Sequence, residues 1–273
     1  MSHQSSGRRE VIKGIGAATA AIVLAGCAAQ SNPRPEKMHY VLVHGSWHGA
    51  WCWQKLTPLL QAQGHRVTAI DLPGRNGTVN ERVRLTAADY VAAVTNVLDA
   101  SPEPVVLAGH SLGGGTISLA AEARPEKIRT LVYLTAFLLP SGKTMGSVAM
   151  ADTASLTAKA ARRDAATGVS RLDPDFVREV FYQDCSDADV ALAKRLVSPE
   201  AGVMGRTPIE TTPGRFGRLD RVFIECLQDH AISIGVQRSM QAAMPCRRVY
   251  SLDTSHSAFF SNPAALASAL LSV

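Results

Sequence analysis

The chain has 273 residues, of which 46% are hydrophobic and 19% charged, and its formal net charge is +5 at pH 7. This composition is typical of a globular protein with a sizeable core and excludes an intrinsically disordered chain. Because lysine and arginine form no dense cluster with interleaved aromatic residues, we expect no nucleic-acid partner.

The N-terminal segment has the features of an export signal. Residues 7–27, GRREVIKGIGAATAAIVLAGC, place paired arginines before a short apolar stretch that ends in a cysteine. Paired arginines are typical of twin-arginine export, and the stretch is shorter than the roughly 20 apolar residues of a spanning helix. The closing LAGC resembles a bacterial lipobox. These features predict a twin-arginine lipoprotein-type signal over residues 1–27 with lipidation at Cys27; the alternative is an ordinary helix and a chance cysteine.

Residues 28–37, AAQSNPRPEK, are polar and contain two prolines, so they predict a tether. We expect the mature protein to be exported to the periplasm or cell envelope and to contact a membrane only through the lipid on Cys27. Four further cysteines allow three disulfide pairings but form no C-x-x-C motif. Of these, Cys226 is predicted to pack as a small buried residue.

From residue 38 onward, short β-rich runs alternate with helical stretches. Six runs are predicted to be strands: HYVLVHG, HRVTAIDLPG, PVVLAG, IRTLVYLTAF, RVFIECLQ and RRVYSLD. Helices are predicted between them, one with Thr86 as its N-cap and one that closes the chain from Asn262. Because parallel strands need long crossovers, this alternation predicts one α/β domain over residues 38–273. Its mostly parallel sheet of about six strands has helices on both faces.

The middle of the domain, about residues 138–215, interrupts this alternation. Asp173 before a proline predicts one helix start, and Ser186 with Asp189 three residues later predicts another. A following stretch rich in proline and glycine is predicted to be an ordered loop. Such a helical insertion between consecutive strands of an open sheet is typical of a lid over a site.

Ser111 lies in VVLAGHSLGG, between the third predicted strand and the next helix. In open α/β sheets, ligands bind at this edge, where the strands end. Gly109 and Gly113 flank the serine in the pattern G-x-S-x-G, which is typical of the sharp turn that exposes a nucleophile at a helix N-terminus. We therefore predict Ser111 as the nucleophile; the alternative is a glycine-rich structural turn.

A serine nucleophile needs a base, and that base needs an acid to orient it. In this architecture the chain order is serine, acid, histidine, and only His230 and His256 follow Ser111. His230 directly follows an acid candidate, which places it badly for a base. His256 follows the last predicted strand and is the predicted base.

Four acidic residues compete for the role of the acid. Asp229 ends the run RVFIECLQD at the carboxyl end of a strand and is the predicted acid. Asp253 is the rival, although its position three residues before His256 suggests that it shapes that loop. Asp220 precedes its strand, and Glu225 lies inside it, so neither is expected at the site.

An oxyanion hole needs two backbone amides. The residue after the nucleophile supplies one, that of Leu112, and the loop VHGSWHGAW after the first strand supplies the other, for which we predict Ser46. In the same loop, His44 and His48 stand near no carboxylate or cysteine. They are therefore predicted to pack and hydrogen-bond within the loop, with His48 a candidate to face the substrate pocket, and no metal is expected.

Four stretches resemble the α/β-hydrolase branch that contains plant methyl esterases, hydroxynitrile lyases and bacterial esterase relatives: YVLVHGSWHGAWCWQKLTPLLQAQGHRVTAIDLPG, GHSLGG, FYQDCSDADVALAKRLV and RVFIECLQDHAIS…LDTSHSAFF. The similarity spans about residues 38–272, lid included, and implies the α/β-hydrolase fold. It also implies a nucleophile, an acid, a base and two amide donors at the residues selected above: Ser111, Asp229, His256, Ser46 and Leu112.

The residue after the predicted base bears on the reaction type. Lyases of this branch carry a lysine there, which stabilises departing cyanide, whereas this chain has Ser257, which supplies no cation. We therefore expect a serine carboxylesterase that hydrolyses small esters or lactones through an acyl-enzyme, without a cofactor. Its expected partner is a small-molecule ester. A cofactor-free lyase and a non-catalytic ligand-binding protein on the same fold are the alternatives.

Overall fold

A sheet of six parallel strands carries the fold in the computed structural model, which describes residues 36–273. The strands of this part of the chain are β1 (His39–Val43), β2 (Arg66–Ile70), β3 (Val105–His110), β4 (Ile128–Leu134), β5 (Ala161–Arg163), β6 (Ser170–Leu172), β7 (Arg221–Cys226) and β8 (Arg248–Leu252). Six of them pair in parallel in the order β2-β1-β3-β4-β7-β8, and β5 and β6 form a separate antiparallel hairpin. The predicted parallel α/β architecture is confirmed.

Helices cover both faces of the sheet. They are α1 (Thr57–Ala62), α2 (Val79–Arg84), α3 (Ala87–Asp99), α4 (Gly113–Ala123), α5 (Met145–Ala151), α6 (Thr157–Ala160), α7 (Val177–Phe181), α8 (Asp187–Leu196), α9 (Val203–Arg206), α10 (Ile234–Ala243), α11 (Ala258–Ser261) and α12 (Pro263–Leu271). Two hydrophobic clusters form the core, and alternate residues of β1, β3 and β4 belong to one cluster or the other. Strands buried on both faces account for the continuous apolar runs in the sequence.

Local capping chemistry sets several helix starts. Thr86 accepts a hydrogen bond from the Asp89 amide, and the Asp89 carboxylate accepts one from the Thr86 amide, as the sequence predicts for the start of α3. The run AWCWQKLTPLLQAQG after β1 predicts one helix that ends at Gly64, but it forms a 3₁₀ turn at Ala50–Trp53 followed by α1. Pro58 explains the break, since a proline lacks the amide proton and is tolerated only in the first helical turn.

The segment predicted to be a lid, about residues 138–215, lies within the connection between β4 and β7, residues 135–220, which is called the lid here. The side chains of Asp173 and Ser186 cap helical turns at the predicted positions. The β5–β6 hairpin was not predicted, because its strands have only three residues each and show no usable alternation. A backbone hydrogen bond from Leu156 to the His230 carbonyl, 2.8 Å, joins the lid to the loop after β7.

The predicted signal peptide, Cys27 and nearly all of the predicted tether lie outside the described residues. Among the helices of residues 36–273, none combines the length and the hydropathy of a membrane-spanning segment. The four cysteines in this range are free thiols, and Cys226 is fully buried as predicted.

Candidate active site

Ser111 lies in a strained turn between β3 and α4. Its φ of +54° is rare for a residue with a side chain, and it is half-buried at the N-terminus of the helix. The flanking glycines make the turn sterically possible. A Cβ on Gly109 would lie 2.8 Å from the Gly113 carbonyl oxygen, and one on Gly113 would lie 2.8 Å from the His44 carbonyl oxygen. The G-x-S-x-G pattern therefore has a direct packing reason here.

His256 and Asp229 form a buried pair at the same edge of the sheet. His256 Nδ1 lies 2.6 Å from Asp229 Oδ2, and the two side chains are 1% and 0% exposed. Because a carboxylate oxygen accepts, we assign the proton to Nδ1. In the neutral form of this ring, the lone pair lies on Nε2, the atom that a general base would use.

Four hydrogen bonds saturate the Asp229 carboxylate. Oδ1 accepts from the amides of Ala231 (2.6 Å) and Ile232 (2.9 Å), while Oδ2 accepts from the Thr135 hydroxyl and from His256. Thr135 was missed in the sequence, although it directly follows β4 at the edge where the other site residues lie. Its φ of +35° is strained, as at Ser111.

The competing acids lie elsewhere. Asp253 is exposed and accepts from a glutamine side chain, while Asp220 and Glu225 pair with arginines at 3.2 and 3.0 Å. Of the four acids that the sequence offered, Asp229 is the one in contact with His256.

The serine and the histidine are joined through His110. Its ring packs on the His256 ring with centroids 4.4 Å apart, and its Nε2 donates to the His256 carbonyl oxygen at 3.0 Å. In the part of the chain described, no hydrogen bond links the Ser111 hydroxyl to His256. Such bonds are often long in unliganded enzymes and shorten when substrate binds. His230 donates from Nδ1 to the Glu179 carbonyl of the lid.

Residues 45–48, called here the 45–48 loop, pass against the serine. A Cβ on Gly45 would lie 2.6 Å from the Ser111 Cβ. Within residues 36–273, neither the Ser46 amide nor the Leu112 amide has a protein acceptor. Two unpaired amides close to the candidate nucleophile are what an oxyanion hole requires.

His44 and His48 stabilise this loop. Burial lowers the pKa of His44 well below its ordinary value and that of His48 to about 4, so both are neutral. Their Nδ1–H groups donate to the Gly45 and Ser46 carbonyl oxygens, each at 2.8 Å. His48 Nε2 accepts from the Tyr182 hydroxyl of the lid at 2.5 Å. Both ring nitrogens of His48, the candidate pocket residue, thus have protein partners.

A family model described as the alpha/beta hydrolase family matches residues 40–269. The chain belongs to the α/β-hydrolase family. Methylesterase 1 of Arabidopsis thaliana is 35% identical over 87% of this chain and 96% of its own length. Salicylic acid-binding protein 2 of Nicotiana tabacum is 35% identical over 74% of this chain and 84% of its own length. A longer Arabidopsis thaliana relative, 34% identical, is matched over 64% of its length.

Among solved structures, a pyrethroid hydrolase from Sphingobium faniae JZ-2 superposes on this α/β hydrolase with a TM-score of 0.78. The two are 29% identical, and the match covers 87% of this chain and 97% of that one. Relatives named as esterases and hydrolases, on a matching fold, support an esterase.

Proposed function

We propose that this α/β hydrolase is a serine carboxylesterase that cleaves small carboxylic esters or lactones through an acyl-enzyme. The observation that carries the proposal is the buried His256–Asp229 pair, 2.6 Å apart, at the sheet edge where Ser111 occupies its strained turn. An imidazole whose Nδ1 is held by a buried, fully hydrogen-bonded carboxylate is oriented to take a proton on Nε2 from the Ser111 hydroxyl when substrate binds.

In the proposed first half-reaction, Ser111 Oγ attacks the ester carbonyl carbon while His256 Nε2 takes the hydroxyl proton. The carbonyl oxygen becomes an oxyanion, held by the Ser46 and Leu112 amides. His256 then returns the proton to the leaving alcohol, and the acyl group stays on Ser111. In the second half-reaction, water attacks the acyl-enzyme with the same base and releases the acid.

The substrate class rests on the relatives and on one residue of this chain. Methylesterase 1 is named for ester cleavage, and the Sphingobium faniae protein is named as a hydrolase, which together favour small esters as the substrate here. Ser257 occupies the position of the lyase lysine. It is fully buried and neutral, so it offers no cation to a departing cyanide.

The test uses purified protein, a panel of short-chain and aromatic methyl esters, and mandelonitrile. Ser111→Ala is expected to lower kcat by 10⁴-fold or more, because the acyl-enzyme can no longer form. A phosphonate should label Ser111 alone in the unchanged protein. Full ester hydrolysis by a folded Ser111→Ala variant would refute the proposal, and so would cyanide release at a rate comparable with the best ester.

We also propose that the chain is exported and lipid-anchored through Cys27. The proposal rests on the paired arginines and the LAGC sequence. Metabolic labelling with a fatty acid in a lipoprotein-processing bacterium should label the protein, and Cys27→Ser should abolish the label. Equal labelling of the Cys27→Ser variant would refute the proposed lipid anchor at Cys27. The esterase proposal would be unaffected by that result.

A further inference from the structure

All four carbonyl oxygens of the 45–48 loop accept hydrogen bonds. The rings of His44 and His48 supply two of the donors, as described above. The others come from distant segments: the Ser198 amide donates to the Trp47 carbonyl, and Arg75 Nη1 donates to the His48 carbonyl, both at 2.8 Å. Trp47 has a φ of +62°, so the loop is strained and depends on its surroundings to keep this shape.

Arg75 connects the loop to the lid through a buried ion pair. Its Nη2 lies 2.9 Å from Glu200 Oε2, and the two side chains are only 7% and 4% exposed. The second carboxylate oxygen accepts from the Tyr90 hydroxyl of α3 at 2.8 Å. The Glu200 backbone pairs in both directions with Ser170 of β6, at 2.8 and 2.9 Å. Glu200 is therefore fixed by three separate elements.

A buried ion pair is weak evidence for a contribution to stability, because replacing it with apolar residues of similar volume often leaves a fold equally stable or more stable. This pair has a geometric feature that apolar residues could not replace. The planar guanidinium of Arg75 binds the Glu200 carboxylate with one nitrogen and the His48 carbonyl with another. It thereby links the Glu200 carboxylate of the lid directly to the backbone of the 45–48 loop.

We propose that Arg75, oriented by Glu200, is a positioning residue that holds the 45–48 loop where the Ser46 amide can receive the oxyanion. This inference rests on the proposed esterase function. Neither residue touches the reacting atoms; Arg75 acts through the His48 carbonyl, two residues beyond the amide. The lid would thus contribute to the proposed oxyanion hole through a contact that lies outside Ser111, His256 and Asp229.

The first test compares Arg75→Met with Lys55→Met. Lys55 also joins the lid to the rest of the domain, by an ion pair of 2.8 Å with Asp189 of α8, but among the described residues it forms no hydrogen bond with the 45–48 loop. Arg75→Met should lower kcat by about 10- to 100-fold and change KM less than threefold, because small misplacements of catalytic groups carry losses of this size. Lys55→Met should keep kcat within twofold. Equal losses in the two variants would overturn the proposal.

A double variant separates positioning from damage to the fold. Arg75→Met leaves Glu200 as a buried carboxylate without its cation, which lowers the melting temperature. Adding Glu200→Gln removes that charge, so Arg75→Met/Glu200→Gln should recover melting temperature while kcat stays as low as in Arg75→Met. Recovery of kcat together with the melting temperature would show a purely structural role and overturn the proposal.

Amide hydrogen exchange of the peptide covering residues 44–50 gives a readout that does not depend on catalysis. Exchange there should be at least several-fold faster in Arg75→Met than in Lys55→Met. Unchanged exchange would overturn the proposed holding of the loop.

If Ser111→Ala kept full hydrolysis, the esterase mechanism would fail while this exchange result still reported on the loop. If Ser111→Ala were inactive but Arg75→Met fully active, only the positioning role would fail.

Discussion

Asp229 is the residue whose role depends most on its exact contacts. Two backbone amides hold one carboxylate oxygen, and the other accepts from Thr135 and His256. Asp229→Asn removes the acceptor that keeps the proton on His256 Nδ1, so kcat should fall by about 10³- to 10⁴-fold. Ester hydrolysis at equal folded content measures the loss.

Asp253→Asn is the matched control, because Asp253 is an exposed aspartate close in sequence to the same histidine. It should keep kcat within about twofold. A larger loss in Asp253→Asn than in Asp229→Asn would move the role of the acid to Asp253.

Thr135 offers a test of how strictly the acid must be held. Thr135→Val keeps the shape of the side chain but removes the hydroxyl that donates to Asp229 Oδ2. We expect kcat to fall by about tenfold or more, with KM nearly unchanged, since one hydrogen bond to a charged group is worth about 1.5–3 kcal/mol. Thr135→Ser retains the donor and should retain most of the activity; a loss in the serine variant as large as that in Thr135→Val would argue against this role.

At the scale of elements, α4 can pack against the loop after β4 only because it begins with glycines. A Cβ on Gly114 would lie 2.5 Å from the Phe137 carbonyl oxygen and 2.8 Å from the Phe137 amide nitrogen. Backbone atoms of a buried turn cannot move aside cheaply. Gly114→Ala should therefore lower the free energy of unfolding by about 1–3 kcal/mol, the usual cost of overpacking.

Gly235 in α10 is the control for this substitution. Its Cβ would meet nothing closer than the Ser233 hydroxyl at 3.9 Å. Gly235→Ala should be neutral or stabilise by up to about 1 kcal/mol, because alanine is the better helix former. Urea unfolding measures the free energy of unfolding of both variants. An equal change in Gly114→Ala and Gly235→Ala would contradict the packing argument.

At the scale of the whole molecule, buried neutral histidines should make the fold sensitive to acid. Burial lowers the pKa of His44 and His110 well below the ordinary value and that of His48 to about 4. An unfolded chain takes up these protons near pH 6.5, whereas the folded protein does not. The contribution of these histidines to the free energy of unfolding is therefore fully present above about pH 6.5, and it is lost as the pH falls towards 4.

Within that pH window, each fully buried histidine should lower the free energy of unfolding by about 1.4 kcal/mol for each pH unit of acidification. Urea unfolding at pH 7, 6 and 5 measures the slope. His39 has its pKa lowered to about 4 by burial and lies at the start of β1, away from the candidate site. His39→Gln should give a shallower slope than the unchanged protein; identical slopes would show that this histidine does not titrate on unfolding.

The sequence alone determined the features that rest on local chemistry. Strand–helix alternation predicts a parallel sheet, because consecutive parallel strands require long crossovers. Gly109 and Gly113 predict the turn at Ser111, because the close approach of their two backbones involves residues near one another in the sequence. The position of His256 follows from chain order and from the strand before it. Each of these inferences uses neighbours in sequence or a rule about sheet edges.

Tertiary structure decided the contacts between distant segments. The sequence predicts Asp229 as the acid with Asp253 as its rival, and the fold places Asp229 against His256 and leaves Asp253 exposed. Thr135 lies 94 residues from Asp229, and Arg75 lies 125 residues from Glu200. No local pattern marks such pairs, because which side chains meet at a sheet edge depends on strand order and on how the lid packs over it.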